Sequence, residues 1–168
     1  MNKLIIMRGC PGSGKSTLAH SILLEAFEDN KTHIRHSTDN YFMKDGTYVF
    51  NVALLHKNHL QNLNATINSL KEGVSLIVVD NTNTTFKECD PYIKAGLEAN
   101  YLVKFVEPTT TWAKNPEELF QRNTHSVPLE NIKKMLARWE ETYYIGETAA
   151  QKYGANYNHF DKTLSNKN

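Results

Sequence analysis

Residues 9–16 read GCPGSGKS, and this run matches the pattern GxxxxGK[ST]. In that pattern the backbone amides of a glycine-rich turn surround phosphate groups, a lysine reaches the terminal phosphates, and a hydroxyl binds Mg²⁺. Lys15 and Ser16 stand at the lysine and hydroxyl positions. The run therefore predicts a loop that binds ATP with Mg²⁺.

The sequence on either side of the loop supports this prediction. Residues 4–7 are a short apolar run, as expected of a buried strand, and apolar residues recur at helical spacing from Leu18 onward. A helix is therefore expected to begin at the lysine. The predicted nucleotide-binding residues are Gly9, Cys10, Pro11, Gly12, Ser13, Gly14, Lys15, Ser16 and Thr17.

Strand and helix patterns alternate along the chain, which is typical of an α/β domain with right-handed crossovers. The second strand ends at Asp39, and the third is a continuous aliphatic run that leads into Asp80. Such runs suit a parallel sheet that is covered on both faces. The predicted strands are residues 4–7, 33–38, 76–79 and 101–106, with a weakly supported fifth strand near residues 155–160.

Helices are predicted between these strands. One helix ends just before Gly73, which is the glycine expected past a helix end. The apolar face of this helix is formed by Leu55, His59, Leu60, Leu63, Ile67 and Leu70. Another helix covers residues 86–99, and the loop at residues 41–51 contains the turn pair Asp45-Gly46.

A helical hairpin is predicted near residues 115–140. Asn115 caps its first helix, which carries Arg122, and Pro128 opens a second helix that is expected to continue to about Tyr144. We expect this hairpin to be a lid. The tail from about Gly154 is polar and weakly patterned, and the whole chain, residues 1–168, is expected to be one domain.

The composition gives no sign of a membrane protein or of a strongly basic nucleic-acid-binding surface. The chain has 168 residues, a formal net charge of +1 and two cysteines. No apolar stretch approaches the length of a membrane span, and two cysteines are too few for a disulfide framework. We expect a soluble intracellular protein, in the cytoplasm or the nucleus.

Three further residues are candidates for phosphoryl-transfer chemistry. Asp39 would be the general base, Arg122 would stabilise charge from the lid, and Asp80 would hold Mg²⁺ together with Ser16. The alternatives are a turn aspartate at Asp39 or Asp80 and a solvated helix arginine at Arg122. Lys15 is expected to hold the phosphates and to act in catalysis.

Other conspicuous residues have more ordinary explanations. His56 and His59 have no third metal ligand at helical spacing, so solvated or partly packed imidazoles are expected. Helix packing is the more common role for aromatic residues than base stacking. The residues concerned are Trp112, Trp139, Tyr143 and Tyr144.

Four segments together resemble one family: GCPGSGKSTLA, STDNYF, VVDNTNT and RNTHSVPLENIKKM. They are similar to the P-loop kinase module of the Nedd-four-binding protein two-like family and, more distantly, to the kinase domain of phage polynucleotide kinase-phosphatase. The resemblance implies a P-loop kinase-type three-layer sandwich, with a mostly parallel sheet of four to five strands and a helical-hairpin lid.

The resemblance also implies the reaction, which is transfer of the ATP γ-phosphate to the 5′-hydroxyl of a polynucleotide. Asp39 matches the family's general base, Arg122 matches its lid arginine, and residues 81–83 fall near the acceptor. The chain departs from the phage enzyme at two positions. Phe42 replaces an arginine that binds the acceptor's phosphate, and Asn81 replaces an acidic residue.

Two other functions remain open at this point. A kinase for a small hydroxyl compound, such as a nucleoside, a sugar or an antibiotic, fits the near-neutral charge and the absence of an arginine at Phe42. A nucleotide-binding module without catalysis fits the loop motif alone, because the motif indicates binding rather than turnover. The oligomeric state and the choice between DNA and RNA are not defined by the sequence.

Overall fold

The computed structural model describes residues 1–154 and 160–161. In that part of the chain it has seven strands, six α-helices and two short 3₁₀ helices at Thr38–Phe42 and Val52–Leu54. The strands are β1 (Lys3–Met7), β2 (His33–His36), β3 (Met43–Lys44), β4 (Thr47–Tyr48), β5 (Leu76–Asp80), β6 (Leu102–Val106) and β7 (Phe160–Asp161). The helices are α1 (Lys15–Glu28), α2 (Leu55–Lys71), α3 (Phe86–Glu98), α4 (Pro116–Arg122), α5 (Leu129–Ala137) and α6 (Thr142–Tyr153).

The main sheet has the order β2-β5-β1-β6-β7, and every neighbouring pair in it is parallel. Four of these strands are the four that the sequence predicts, so the α/β fold class is confirmed. Strands β3 and β4 form a separate antiparallel hairpin around the Asp45-Gly46 turn. The phosphate loop follows the central strand β1. Asp80 ends β5 and Asp39 follows β2, and both of these strands lie on the same side of β1 in the sheet.

Helices cover both faces of the sheet and form a three-layer structure. On one face α1 packs on Ile5, Met7 and Val78. On the other face α3 and α6 pack on Leu4, Ile6 and neighbouring residues. The strands alternate their side chains between these two clusters, as the period of a strand requires. The central strands are consequently buried from both sides.

Two boundaries differ from the sequence prediction. Strand β2 ends at His36, and Asp39 lies in the 3₁₀ helix that follows rather than at the end of the strand. A strand does form near the C-terminus, at β7, but residues 155–159 of the predicted range lie outside the described residues.

The prediction that the second helix of the hairpin continues from Pro128 to about Tyr144 is wrong. Helix α5 ends at Ala137, and α6 begins separately at Thr142. The backbone amide of Glu140, in the break, donates to the carbonyl of Thr84 at 2.9 Å, and its carbonyl accepts from the guanidinium of Arg8. A continuous helix would need the amide and the carbonyl of Glu140 for its own hydrogen bonds, but these groups are bonded to Thr84 and Arg8 instead.

The predicted packing of α2 is confirmed only in part. Of its six predicted apolar-face residues, Leu70 is buried in the core and Leu63 packs against the core half-buried, whereas Leu60 is 49% exposed. The buried stripe is mostly polar, and Asn62 donates from it to the Tyr92 hydroxyl at 2.9 Å. The buried residues of this helix are Asn58, Asn62, Thr66, Ser69 and Leu70.

Across the described part of the chain, no helix combines the length and the apolar character needed to cross a membrane.

Candidate active site

The phosphate loop is held from outside by the segment that leads into the lid. The indole Nε1 of Trp112 donates to the carbonyl of Gly12 at 3.0 Å, and the hydroxyl of Thr110 donates to the carbonyl of Ser13 at 2.8 Å. Gly12 has φ +82°, and a β-carbon at this position would lie 2.5 Å from the carbonyl oxygen of Leu119 in α4. The loop and the lid therefore touch at a position where only glycine fits.

Helix α1 begins at Lys15, as the sequence predicts, and Gly14 at φ 94° is its left-handed N-cap. The amides of the first helical turn are not bonded within the helix and carry partial positive charge, so a phosphate placed beside them is stabilised. Cys10 is buried in the same loop, and burial raises the pKa of its thiol despite the opposing charge of Lys114. Its thiol is therefore protonated at neutral pH.

Asp80 ends β5 as a fully buried carboxylate that is bound by two cations. Its Oδ1 accepts from the ammonium of Lys15, and its Oδ2 accepts from Nε and a terminal nitrogen of Arg35 at 2.7 and 2.6 Å. Burial acts to raise the pKa of Asp80, but the charges and hydrogen bonds of Lys15 and Arg35 prevail and lower it. Asp80 is consequently anionic at neutral pH.

The oxygens of Ser16 and Asp80 are of the chemical type that Mg²⁺ prefers, but their arrangement does not favour direct contact of both residues with the ion. Mg²⁺ prefers carboxylate, hydroxyl and water oxygens and keeps several of its waters. Ser16 lines the cavity beside the loop, but both oxygens of Asp80 already face cations. Contact between Asp80 and a metal therefore fits a bridging water better than direct ligation.

Asp39 lies in the 3₁₀ helix after β2, and a residue from the neighbouring strand's loop anchors this helix. The backbone amide of Thr38 donates to Oδ1 of Asn81 at 2.9 Å. The carboxylate of Asp39 is half-exposed and faces His125, whose Nδ1 lies 3.4 Å from Asp39 Oδ2. His125 lies in the segment RNTHSVPLENIKKM, but no sequence pattern indicated a role for it.

Arg122 is the last residue of α4, next to the phosphate loop. Its Nε lies 3.1 Å from Oε2 of Glu118, and its guanidinium carbon lies 3.7 Å from the ring centroid of Trp112. The side chain is thus held at the edge of the loop by one carboxylate and one ring.

A cavity of about 750 Å³ connects these groups. Its lining includes the three predicted catalytic residues, Lys15, Asp39 and Arg122, and most of the phosphate loop. Gly9, Ser13 and the buried Asp80 are not part of the lining. Phe42 contacts both Tyr48 and Phe50 in this lining. The large apolar and aromatic residues that line the cavity include Phe42, Tyr48, Phe50, Leu55, Leu60 and Leu63.

The two tryptophans among the aromatic candidates have structural contacts. Trp112 donates a hydrogen bond to the phosphate loop, and the cations of Arg8 and Lys114 both lie over the ring of Trp139. Tyr143 and Tyr144 are exposed on α6. His59 accepts or donates at the hydroxyl of Thr38, 3.1 Å away, and no cluster of three metal-binding side chains occurs among residues 1–154 and 160–161.

Known proteins are similar to this chain in sequence. Residues 4–142 match the family described as an AAA domain. Human NEDD4-binding protein 2 is 39% identical over 137 residues, which are 82% of this chain and 8% of that protein. The mouse 2′,3′-cyclic-nucleotide 3′-phosphodiesterase is 28% identical over 140 residues, which are 83% of this chain and 32% of the relative. The chain thus spans a third or less of these curated relatives.

Solved structures share the fold at lower identity. One chain of the Pnkp1/Rnl/Hen1 RNA repair complex has a TM-score of 0.64 and 21% identity, over 88% of this chain and 46% of that one. Chaetomium thermophilum Kti12 in complex with ADP-AlF3 has a TM-score of 0.57 and 18% identity, over 82% and 80% of the two chains.

The sequence and fold comparisons agree with the geometry of the loop and the sheet. The resemblance to the module of NEDD4-binding protein 2 is confirmed by the identity over most of the chain. The chain therefore belongs to the AAA-domain family matched here, as a P-loop kinase-like domain related to NEDD4-binding protein 2.

Proposed function

We propose that this chain is a kinase that transfers the γ-phosphate of ATP to a 5′-hydroxyl end of DNA or RNA. The observation that carries the proposal is that Lys15, Asp39 and Arg122 line one cavity beside the phosphate loop. Phosphoryl transfer requires mainly positioning and charge neutralisation, together with a carboxylate that accepts the proton of the attacking hydroxyl. Each of these requirements has a candidate side chain in the cavity.

In this proposal the phosphate loop binds the nucleotide. Lys15 exchanges its contact with Asp80 for the β- and γ-phosphates, while Arg35 remains on Asp80. The exchange keeps the buried carboxylate paired at all times. The nucleotide-binding residues are Gly9, Cys10, Pro11, Gly12, Ser13, Gly14, Lys15, Ser16 and Thr17.

Asp39 and Arg122 then act on opposite sides of the transferred group. Asp39 accepts the proton of the 5′-hydroxyl as the new O–P bond forms, and the bond between the β-phosphate oxygen and the γ-phosphorus breaks to release ADP. Arg122 leaves Glu118 and stabilises the charge on the equatorial oxygens, a role worth about 10³- to 10⁵-fold in other systems. The lid in this scheme is the α4–α5 pair, at about residues 115–140.

Ser16 would hold Mg²⁺ directly, and Asp80 would hold it through water. A bound ion would supply neutralisation of part of the phosphate charge. Arg35 pairs with Oδ2 of Asp80, so Oδ1, which Lys15 contacts in the structure, is the oxygen that would become available to a water on the metal.

The apolar and aromatic lining of the cavity supports a nucleotide as the acceptor. Aromatic and aliphatic side chains suit stacking against a base, which is tolerant of sequence. Phe42 packs at 5.2 Å between ring centroids on Phe50 and offers no charge to a phosphate. The similarity to a chain of an RNA repair complex favours a polynucleotide acceptor. In this proposal the reaction takes place inside the cell, in the cytoplasm or the nucleus.

The direct test uses ATP labelled at the γ-phosphate, Mg²⁺, and DNA or RNA oligonucleotides with 5′-hydroxyl ends. We expect label at the 5′ end, and none on matched oligonucleotides that already carry a 5′-phosphate. Lys15→Ala should abolish the signal. Absence of label on every oligonucleotide would reject the proposal.

A small-molecule kinase is the second candidate, and the buried Phe42 favours it because no cation stands there for an acceptor phosphate. A panel of nucleosides and sugars in the same assay would reveal it by transfer without an oligonucleotide. A module that binds ATP without turnover would show nucleotide affinity and no labelled product of either kind.

A further inference from the structure

His125 belongs to the turn between α4 and α5, yet it contacts two elements outside the lid. Its Nδ1 lies 3.4 Å from Oδ2 of Asp39, in the 3₁₀ helix after β2. Its ring also stacks on Tyr48 of the β3–β4 hairpin, with the ring centroids 4.1 Å apart and the planes inclined by 13°. One side chain therefore joins the lid to the carboxylate and to the hairpin beside it.

The turn that carries His125 is braced by its own side chains. Asn123 accepts from the amide of Val127 at 2.8 Å and donates to the carbonyl of Phe120 at 2.8 Å. Ser126 has φ 55°, a left-handed conformation that is uncommon for serine. This closed turn fixes the direction in which His125 leaves the backbone.

The stacking partner keeps one charge state across the physiological range. Burial, aided by the charge of Asp39, raises the pKa of Tyr48 to about 12. The Tyr48 phenol is therefore neutral, and it presents a flat face to the imidazole without competing for a proton. The titratable groups that contact His125 in the described structure are Asp39 and Tyr48.

We infer that His125 is a positioning residue that orients Asp39 from the lid, so that seating of the lid and alignment of the general base occur together. The inference rests on the proposed function, because it needs Asp39 to accept a proton. In this scheme the 3.4 Å contact shortens so that Nδ1–H donates to Oδ2, which leaves Oδ1 for the acceptor hydroxyl. His125 itself transfers no proton in this scheme.

The separation of 3.4 Å is consistent with such a role. Catalytic hydrogen bonds are often long without substrate and shorten in the reactive complex. Both side chains are partly exposed to the cavity, at 35% for His125 and 46% for Asp39, so a bound acceptor would exclude water from the contact and strengthen it.

Two substitutions at His125 distinguish the role of Nδ1 as a donor from the role of the ring in stacking. His125→Phe keeps a ring for Tyr48 and removes the donor, whereas His125→Asn keeps a donor near the position of Nδ1 and removes the ring. We expect His125→Phe to lower kcat by about tenfold with KM for ATP unchanged, since about 1.4 kcal/mol, one hydrogen bond to a charged group, is tenfold in rate. His125→Asn should recover part of the loss.

A double variant tests whether His125 acts through Asp39. In an Asp39→Asn background the added change His125→Phe should have no further effect on kcat, because the group it orients is already inactive. Equal and independent losses in both backgrounds would overturn the inference. So would unchanged kcat for His125→Phe in the native background.

A readout independent of activity distinguishes this inference from the proposed function. The ¹⁵N chemical shifts of the His125 ring report which nitrogen carries the proton, and we expect Nδ1–H in the native chain and a shift toward Nε2–H in Asp39→Asn. The same tautomer in both chains would contradict the inference that Nδ1–H of His125 interacts with Asp39. A responsive tautomer without transfer to any acceptor would reject the proposed function and, with it, the catalytic part of this inference.

Discussion

At the scale of single residues, Asp80 determines which cation is available to a phosphate. The carboxylate is fully buried and is shared by Lys15 from α1 and Arg35 from β2. A buried carboxylate left without a partner is strongly unfavourable. Because Arg35 can stay in place, Lys15 is able to move to a nucleotide without leaving Asp80 unpaired.

Arg35→Met should therefore weaken ATP binding, although Arg35 does not line the cavity. We expect the dissociation constant for ATP to rise by about tenfold, since the loss of a partly exposed charged hydrogen bond costs about 1.5 kcal/mol. Isothermal titration with a non-hydrolysable ATP analogue measures it. Lys31→Met, which breaks an exposed ion pair with Asp29, is the matched control and should change nothing. Equal affinities for both variants would contradict the expectation.

The same variant should change the response to acid. Lys15 and Arg35 lower the pKa of Asp80 against the effect of burial, so its contribution to stability is complete above the unfolded pKa, about 3.9, and is lost as the pH falls through the folded value. Removing Arg35 raises the folded pKa toward the unfolded one. Arg35→Met should consequently unfold at a higher pH than the native chain, as followed by circular dichroism between pH 6 and pH 2.

Asp39 gives a prediction that bears directly on the reaction. Asp39→Ala should lower the rate of phosphoryl transfer by about 10²- to 10⁴-fold, which is the usual contribution of a general base, and leave ATP affinity largely intact. Single-turnover kinetics and titration with the nucleotide measure the two quantities. Asp29→Ala, at the exposed end of α1, is the control. Unchanged turnover would remove Asp39 from the mechanism.

At the scale of the elements, the contact between the phosphate loop and α4 depends on Gly12. A methyl group there would lie 2.5 Å from the Leu119 carbonyl oxygen and 2.9 Å from the Asn123 amide nitrogen. Both are backbone atoms, which cannot move without a shift of the helix. Gly12→Ala should displace α4 from the loop and weaken ATP binding by more than tenfold. Gly46→Ala is a matched control, because Gly46 also has positive φ but has no atom within 4 Å of the added carbon.

The two variants separate backbone strain from displacement of the lid. Both should lose about 1–2 kcal/mol of unfolding free energy from the left-handed conformation. Only Gly12→Ala should also change the fluorescence of Trp112, since the indole bonds to the Gly12 carbonyl. Equal nucleotide affinity for Gly12→Ala and Gly46→Ala would show that the loop does not need the contact with α4.

The elements also show how far the sequence alone was informative. The loop, the central strands and the cap at Asn115 follow from local patterns and are confirmed, because each depends on residues that are neighbours in the chain. The break between α5 and α6 was not predictable in this way, since it depends on the bond from Glu140 to Thr84, far away in the sequence.

The buried face of α2 was missed for a related reason. Its leucines follow a helical period, but the cavity provides an alternative surface for Leu55, Leu60 and Leu63, and tertiary hydrogen bonds satisfy the polar stripe. Asn62 bonds to Tyr92 of α3, a pairing that no local pattern contains. The sequence alone indicated Lys15, Asp39 and Arg122 as candidates, and these residues line one cavity. Arg35 and His125 could be recognised only from the folded structure, because their contacts are with residues far away in the sequence.

At the scale of the whole molecule, Arg8 connects the sheet to the elements on its carboxyl side. The residue follows β1 and is fully buried, and burial lowers the pKa of its guanidinium while nearby carboxylates oppose the shift. It donates to the carbonyls of Asn83 and Thr84 before α3, and to Thr142 at the start of α6. These bonds hold the ends of both helices against the central strand.

Arg8→Met should therefore destabilise the entire fold more than it affects nucleotide binding. Removing the guanidinium leaves several buried oxygens without a donor, and breaking a buried charged network by deleting one partner costs about 3–5 kcal/mol. Urea unfolding followed by circular dichroism measures the loss. Arg138→Met is the control, because Arg138 also donates to Thr84 but is half-exposed, so its loss should be below about 1 kcal/mol. Two variants of equal stability would mean that solvent, rather than Arg8, satisfies the carbonyls beneath α3 and α6.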